Sequence, residues 1–232
     1  MNFVLFEKLG KLKGTELYML IGALAIATAL ITAIILYRRK HPREADATAA
    51  RPAKKFSARI MVQGALCVSL SFILSYIKMF SLPLGGSLTL CSILPIALFA
   101  VLYGPVYGFA AAFAYSLLQI IQGAYIVHWA QFILDYFVAF TCYGLAGFFR
   151  RSLPLGAAVA GFARMVVSIL SGVIFFASYA AEAGYSSAFV YSFLYNGGTI
   201  GLETVLCVII ALLPPFTRMV ERIKTQRGLR EA

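Results

Sequence analysis

The chain has 232 residues, 61% of them hydrophobic and 12% charged, and its mean hydropathy is +0.86. A soluble fold of this length cannot hide so much apolar surface from water, so the solvent of this protein is lipid. Its formal net charge is +11, from 20 Lys and Arg against 9 Asp and Glu, but sixteen of the basic residues lie in residues 1–16, 38–59 and 218–230, outside the apolar runs. That distribution sets membrane topology and argues against nucleic-acid binding.

Crossing about 30 Å of hydrocarbon takes about 20 apolar helical residues. The first qualifying run, 17–37, lies in an N-terminal segment 1–37 and is followed at once by Arg38-Arg39-Lys40-His41-Pro42-Arg43. A cleaved signal peptide competes with a retained helix here. The run is long, lacks a convincing small-residue cleavage site and precedes a dense positive cluster that resists export, all of which favour the retained helix. Residues 38–59 read as a basic cytoplasmic linker. Further spans are expected at 60–80, 88–103, 105–122, 131–149, 155–177 and 189–213, within a membrane domain 60–217, before a basic tail 218–232. Tyr103-Gly104-Pro105 forces a tight turn between the third and fourth spans. The fold class is therefore all-α and polytopic.

The basic segments fix the orientation. The linker, the Arg150-Arg151 turn and the tail with Arg218, Arg222 and Lys224 belong on the cytoplasmic side of the plasma membrane. An alternating path satisfies all three, with the C-terminus inside and the loops near 81–87, 123–130 and 178–188 outside.

Ionisable groups inside membrane helices cost about 2.5 to 3.5 kcal/mol each, which makes each one a candidate for function. Away from the helix ends there are three: Asp135, Arg164 and Glu203. Arg164 and Glu203 count to equal depth from their cytoplasmic ends and are expected to form a structural ion pair, with a proton relay as the alternative. Asp135 has no such partner and sits one turn inside its external end. Tyr125, His128, Trp129, Tyr136, Glu182, Tyr185, Tyr191 and Asn196 fall at the same external level. Aromatic residues there also serve as an interfacial belt. A carboxylate and an amide one to two turns deep, with aromatic walls, suit a flat, cationic, hydrogen-bonding small molecule. Glu182 is expected to be solvated. Ala65-x-x-x-Ser69 leaves a groove for close helix approach, either within the fold or by a partner. The four cysteines are dispersed singly, with no C-x-x-C spacing and no metal site. No phosphate-binding Gly-x-x-x-x-Gly-Lys-Ser/Thr motif is present, so ATP would have to act through another chain.

Four segments carry a resemblance to a known family. They are Gly85-Gly86-Ser87 with Leu94-Pro95-Ile96, Gln131 to Tyr136 with Ala139-Phe140, Ser171 to Phe176, and Tyr191 to Asn196. In order and spacing they resemble the substrate-binding S components of energy-coupling factor (ECF) vitamin transporters, in the thiamine-specific branch, over residues 57–217. The resemblance implies a six-helix bundle, here preceded by one extra helix, with a vitamin pocket near the external face. It implies Asp135 as the carboxylate facing a cationic ligand, with Tyr136, Tyr125, Gly172, Phe176, Tyr191 and Asn196 lining the rest; Trp129, by the topology derived from charge, belongs to the rim of the same pocket. It further implies docking of a membrane-embedded coupling subunit on Ala65 and Ser69, two ATPase partners, and no cofactor held by this chain. Thiamine-binding relatives carry a His where this chain has Ser168, which opens the alternative of another vitamin. A membrane-embedded sensor without transport is a further alternative. An enzyme is disfavoured, because no acid-base pair or metal ligands converge at one depth.

Overall fold

The computed structural model describes residues 57–226. The helix expected at 17–37, nearly all of the linker and the end of the tail lie outside the described residues. Contacts group residues 64–232 as one unit and residues 1–63 as another, of which 57–63 are described.

Helix α1 runs Ala58–Tyr76. Two short antiparallel strands follow, β1 Lys78–Ser81 and β2 Ser87–Thr89, with Ser81 opposite Ser87. This corrects two expected spans. The helix expected to reach 80 stops at Tyr76, and the one expected from 88 begins only at Leu94, because the chain between them pairs with itself as a hairpin. Helix α2, Leu94–Tyr103, has Pro95 in its first turn and is buried on nearly every side. A helix that is apolar all round belongs in the interior of its bundle. It ends at Gly104, whose φ of 96° only glycine adopts without strain, and α3, Pro105–Ile121, starts directly after it.

Helix α4 spans Trp129–Phe148. It contains a π segment over Ile133–Val138 and tightens to a 3-10 form over Cys142–Phe148. The Arg150-Arg151 turn leads to α5, Leu153–Phe175, whose first turn is capped by the Ser152 hydroxyl accepting from the Leu155 N–H at 3.3 Å. A short helix α6, Ala177–Glu182, occupies part of the loop expected at 178–188. Ser187 caps α7, Ala188–Leu212, which carries a second π segment at Gly197–Gly201. Helix α8, Pro214–Gln226, is amphipathic and begins ahead of the expected tail boundary at 218.

Four described helices, α1, α4, α5 and α7, are long and apolar enough to cross a bilayer, and α2 and α3 are shorter apolar helices between them. Along α7, Leu202, Val205, Ile209 and Leu212 are all exposed. Such a continuous outward apolar stripe is stable only against lipid or a partner. The protein is a multi-pass membrane protein.

Within residues 64–232, α5 packs on α2, α4 and α7, and α3 packs on α2 and α4. Close approach of α5 and α7 depends on missing side chains. A Cβ on Gly161 would lie 2.1 Å from the Thr204 hydroxyl, and one on Gly172 would lie 2.1 Å from the Ser192 hydroxyl.

Candidate functional site

At one end of the unit formed by residues 64–232, a cavity of about 200 Å³ opens between the C-terminal turns of α3 and α5 and the N-terminal halves of α4 and α7. Arg150, Arg151 and the α7–α8 junction lie at the opposite ends of these helices. Helix α8 returns to that far side, where the Lys224 ammonium donates to the Arg151 carbonyl at 3.2 Å and pairs with Glu221 at 3.3 Å.

Asp135, Tyr136, Tyr125, Ser168, Gly172, Phe176, Tyr191 and Asn196 all line this cavity. Eight of the nine residues expected to bind ligand are thus brought together from α4, α5, α7 and the loop before α4. Trp129 is not among them. It points outward with 67% of its surface exposed, because His128 beside it caps α4, its Nδ1 accepting from the Ala130 N–H at 3.1 Å. The His128 ring also stacks on Phe175 at 5.2 Å, leaving Trp129 on the outer side of the helix start. Glu182, the last residue of α6, is exposed, as expected for a solvated carboxylate.

The Asp135 carboxylate accepts a hydrogen bond from the Gln131 amide at 2.7 Å, one helical turn earlier. The same Gln131 amide also donates to the Tyr125 carbonyl at 3.1 Å, and its oxygen accepts from the Val127 N–H at 3.1 Å. Gln131 is 1% exposed, so this buried amide fixes the carboxylate and the 125–127 loop together. Tyr136 adds a third tie, its phenol accepting from the Tyr125 N–H at 2.8 Å. Across the cavity, Asn196 donates to the Ser192 carbonyl at 2.9 Å, and the Ser192 hydroxyl donates to the Ile169 carbonyl at 3.0 Å. The rings of Tyr125 and Phe176 lie 6.3 Å apart and inclined by 30°, and the Tyr125 hydroxyl meets that of Tyr179 at 3.0 Å. The result is the Asp135 carboxylate in a frame of hydrogen-bonding edges and aromatic faces.

Arg164 and Glu203 line the same cavity but form no ion pair, and the expectation that they pair is corrected. Among the described residues the salt bridge within 4.0 Å is Lys224–Glu221. Glu203, 3% exposed, is satisfied from the end of β2 and the segment after it: its Oε1 accepts from the Thr89 hydroxyl, from the Ser92 N–H at 2.9 Å and from the Ser92 hydroxyl at 2.8 Å. Arg164 turns instead to α4, donating to the Tyr143 phenol, with its guanidinium carbon 4.1 Å from the centre of the Phe140 ring. Equal depth did not bring the two charges together, because each found nearer partners on a different neighbour. Ala65 and Ser69 are both exposed on α1, which leaves that face open to lipid or to another helix. No cluster of three metal-ligating side chains occurs among the described residues.

Sequence reasoning passed over Tyr195, Thr89 and Ser92, all of which line the cavity. Tyr195 lies inside the Tyr191 to Asn196 segment, one turn from Tyr191, and that spacing was the available signal.

The family described as "Thiamine transporter protein (Thia_YuaJ)" matches residues 61–222. The thiamine transporter ThiT of Bacillus subtilis is 29% identical over 150 residues, 57% of this chain and 77% of that protein. ThiT of Lacticaseibacillus paracasei is 30% identical over 138 residues, 51% of this chain and 68% of that protein. A solved structure of ThiT from Listeria monocytogenes superposes with a TM-score of 0.56 at 22% identity, covering 67% of this chain and 94% of that one, a likeness that speaks to the fold. With the match spanning well over half of its length, the chain belongs to the thiamine transporter protein family.

Proposed function

We propose that this chain is the substrate-binding S component of an ECF-type importer, capturing thiamine at the external face and delivering it inward. A membrane-embedded coupling subunit and two ATPase subunits would act with it. Family membership makes it a transport protein and sets aside an enzymatic role. The observation that carries the choice of ligand is the carboxylate of Asp135, which lines an aromatic-walled cavity at the end of the bundle remote from Arg150 and Arg151. Thiamine joins a cationic ring to a flat hydrogen-bonding ring. A half-buried carboxylate suits the first, and amide, hydroxyl and aromatic groups suit the second.

In this reading Tyr125, Tyr136, Gly172, Phe176, Tyr191 and Asn196 shape the pocket and Ser168 widens it. Ala65 and Ser69 offer the docking face for the coupling subunit, the C-terminus is cytoplasmic, and the chain needs no cofactor of its own, since ATP is bound by its partners. Ser168, a small hydroxyl where thiamine-binding relatives carry a His, favours a second reading in which another vitamin is the cargo.

Two measurements on purified protein test this. Mass spectrometry of the copurifying ligand should return thiamine, and calorimetry on ligand-stripped protein should show saturable one-to-one binding. Absence of both would remove thiamine and leave the second reading. Copurification with a coupling subunit and ATPases separates a transporter from a sensor.

A further inference from the structure

The loop joining β1 to β2 lies against the cavity, and Leu84, Gly85, Gly86 and Ser87 form part of its lining. This loop is tied to α7 at two places. At its tip, the Tyr195 phenol donates to the Pro83 carbonyl and accepts from the Gly86 N–H at 2.7 Å. Those two bonds straddle Leu84 and Gly85, both in the left-handed region with φ of 64° and 91°. For a leucine that conformation is costly and persists only where its surroundings impose it. At its base, Thr89 and Ser92 converge on the Glu203 carboxylate. Tyr195 and Glu203 are eight residues apart on one helix, about 12 Å along its axis. The same helix presents Tyr191 and Asn196 to the cavity between and beside these ties.

The ties differ in strength. Three donors on one buried carboxylate are charge-assisted bonds, about twice as strong as neutral ones. The tip is held by a single neutral phenol, and its bond to Pro83 lies at the exposed surface. If the loop moves, the tip releases first and the base stays attached.

We propose that Tyr195 is a positioning residue that latches the β1–β2 loop over the cavity, while Glu203 anchors the base about which the loop opens. Tyr195 thereby sets how fast ligand leaves. The ligand part of this inference rests on the cavity taking the cationic vitamin proposed above; the latch itself does not.

The test uses the full chain in lipid nanodiscs, with Tyr195→Phe, which removes only the hydroxyl, and Gly86→Ala. A Cβ on Gly86 would lie 2.4 Å from the Tyr195 phenol oxygen and so would push the tip off its latch from the other side. Hydrogen–deuterium exchange without ligand reads the latch directly. Amides of residues 82–88 should exchange about tenfold faster in both variants, the scale of losing one or two hydrogen bonds, with the helices unchanged. Stopped-flow displacement should then show thiamine release accelerated by a similar factor, about tenfold, beyond any loss in association rate.

Unchanged exchange at 82–88, or an increase spread evenly over all helices, overturns the latch even if thiamine binds normally. Faster local exchange in a protein that binds no thiamine supports the latch and removes the ligand reading. Faster local exchange with unaltered release overturns the assignment of Tyr195 as the determinant of ligand departure.

Discussion

Asp135→Asn is the most informative single substitution. It preserves the shape of the side chain and keeps one oxygen to accept from Gln131, now at 2.7 Å from Asp135, so the loop at 125–127 stays tied. What it removes is one negative charge from the cavity wall. Two unit charges about 4 Å apart at an effective dielectric of about 20 attract by about 4 kcal/mol. The Gln131 bond already stabilises the carboxylate, and the ligand cation loses its own hydration on entry, so the net loss on substitution is smaller, about 2 to 4 kcal/mol. That corresponds to thiamine binding about 30- to 700-fold weaker. Calorimetry should measure it, with an isosteric analogue whose five-membered ring carries no charge as the second axis of a double cycle. The wild-type protein should prefer thiamine over the neutral analogue, and the Asn variant should lose that preference. A variant that binds thiamine within about threefold of wild type, or that loses affinity equally for both ligands, refutes the assignment of Asp135 as the counter-charge.

Three further outcomes follow from the same geometry. Gly161→Ala forces a Cβ to within 2.1 Å of the Thr204 hydroxyl; separating α5 from α7 there should cost about 1 to 3 kcal/mol, seen as a lower melting temperature in detergent, while the folded fraction binds ligand normally. Trp129→Phe should leave thiamine affinity within about twofold, because the side chain faces outward and surface substitutions are worth about 0.5 kcal/mol or less; calorimetry checks it. Ser168→His puts an aromatic ring into the cavity lining, and if thiamine is the cargo it should tighten binding by about 0.5 to 1.5 kcal/mol, the worth of one ring contact, measured against wild type in the same titration.

The helices were legible because lipid imposes one requirement, long apolar runs with self-satisfied backbones, and charge placement orders them. The hairpin was not legible. Lys78-Met79-Phe80-Ser81 is as apolar as the end of a span, and only the pairing with Ser87 to Thr89 reveals that it has left the helix. The cavity lining was legible in the residues that break the membrane rule, Asp135 and Asn196, and in the rings beside them. Trp129 was misplaced because its neighbour His128 is consumed in capping α4, a role that depends on backbone conformation. The Arg164–Glu203 pairing failed for a similar reason. Depth counted along a helix gives height but not facing, and donors such as Ser92 lie on a segment that reads as part of a span.

Facing is set by the two π segments. On a regular helix each residue turns about 100°, so Tyr191 and Glu203, twelve residues apart, would diverge by about 120°. Yet both line the cavity, together with Tyr195 and Thr199 at the intervening four-residue steps. The π segment at Gly197–Gly201 lies between them. A π turn accommodates one additional residue, so the twelve-residue interval turns like eleven regular ones and the divergence falls to about 20°. The same device operates on α4, where the π segment Ile133–Val138 separates Gln131 from Phe140. Nine regular residues would leave Phe140 on the back of the helix, about 180° away, whereas absorbing one residue brings it to about 80°. Phe140 then reaches the cavity and supports the Arg164 guanidinium above its ring. The π segment of α7 thus aligns one face of that helix from cavity mouth to floor, and that of α4 turns Phe140 toward the cavity; Asp135 in this way comes to share a cavity with a glutamate that a regular helix would have turned away.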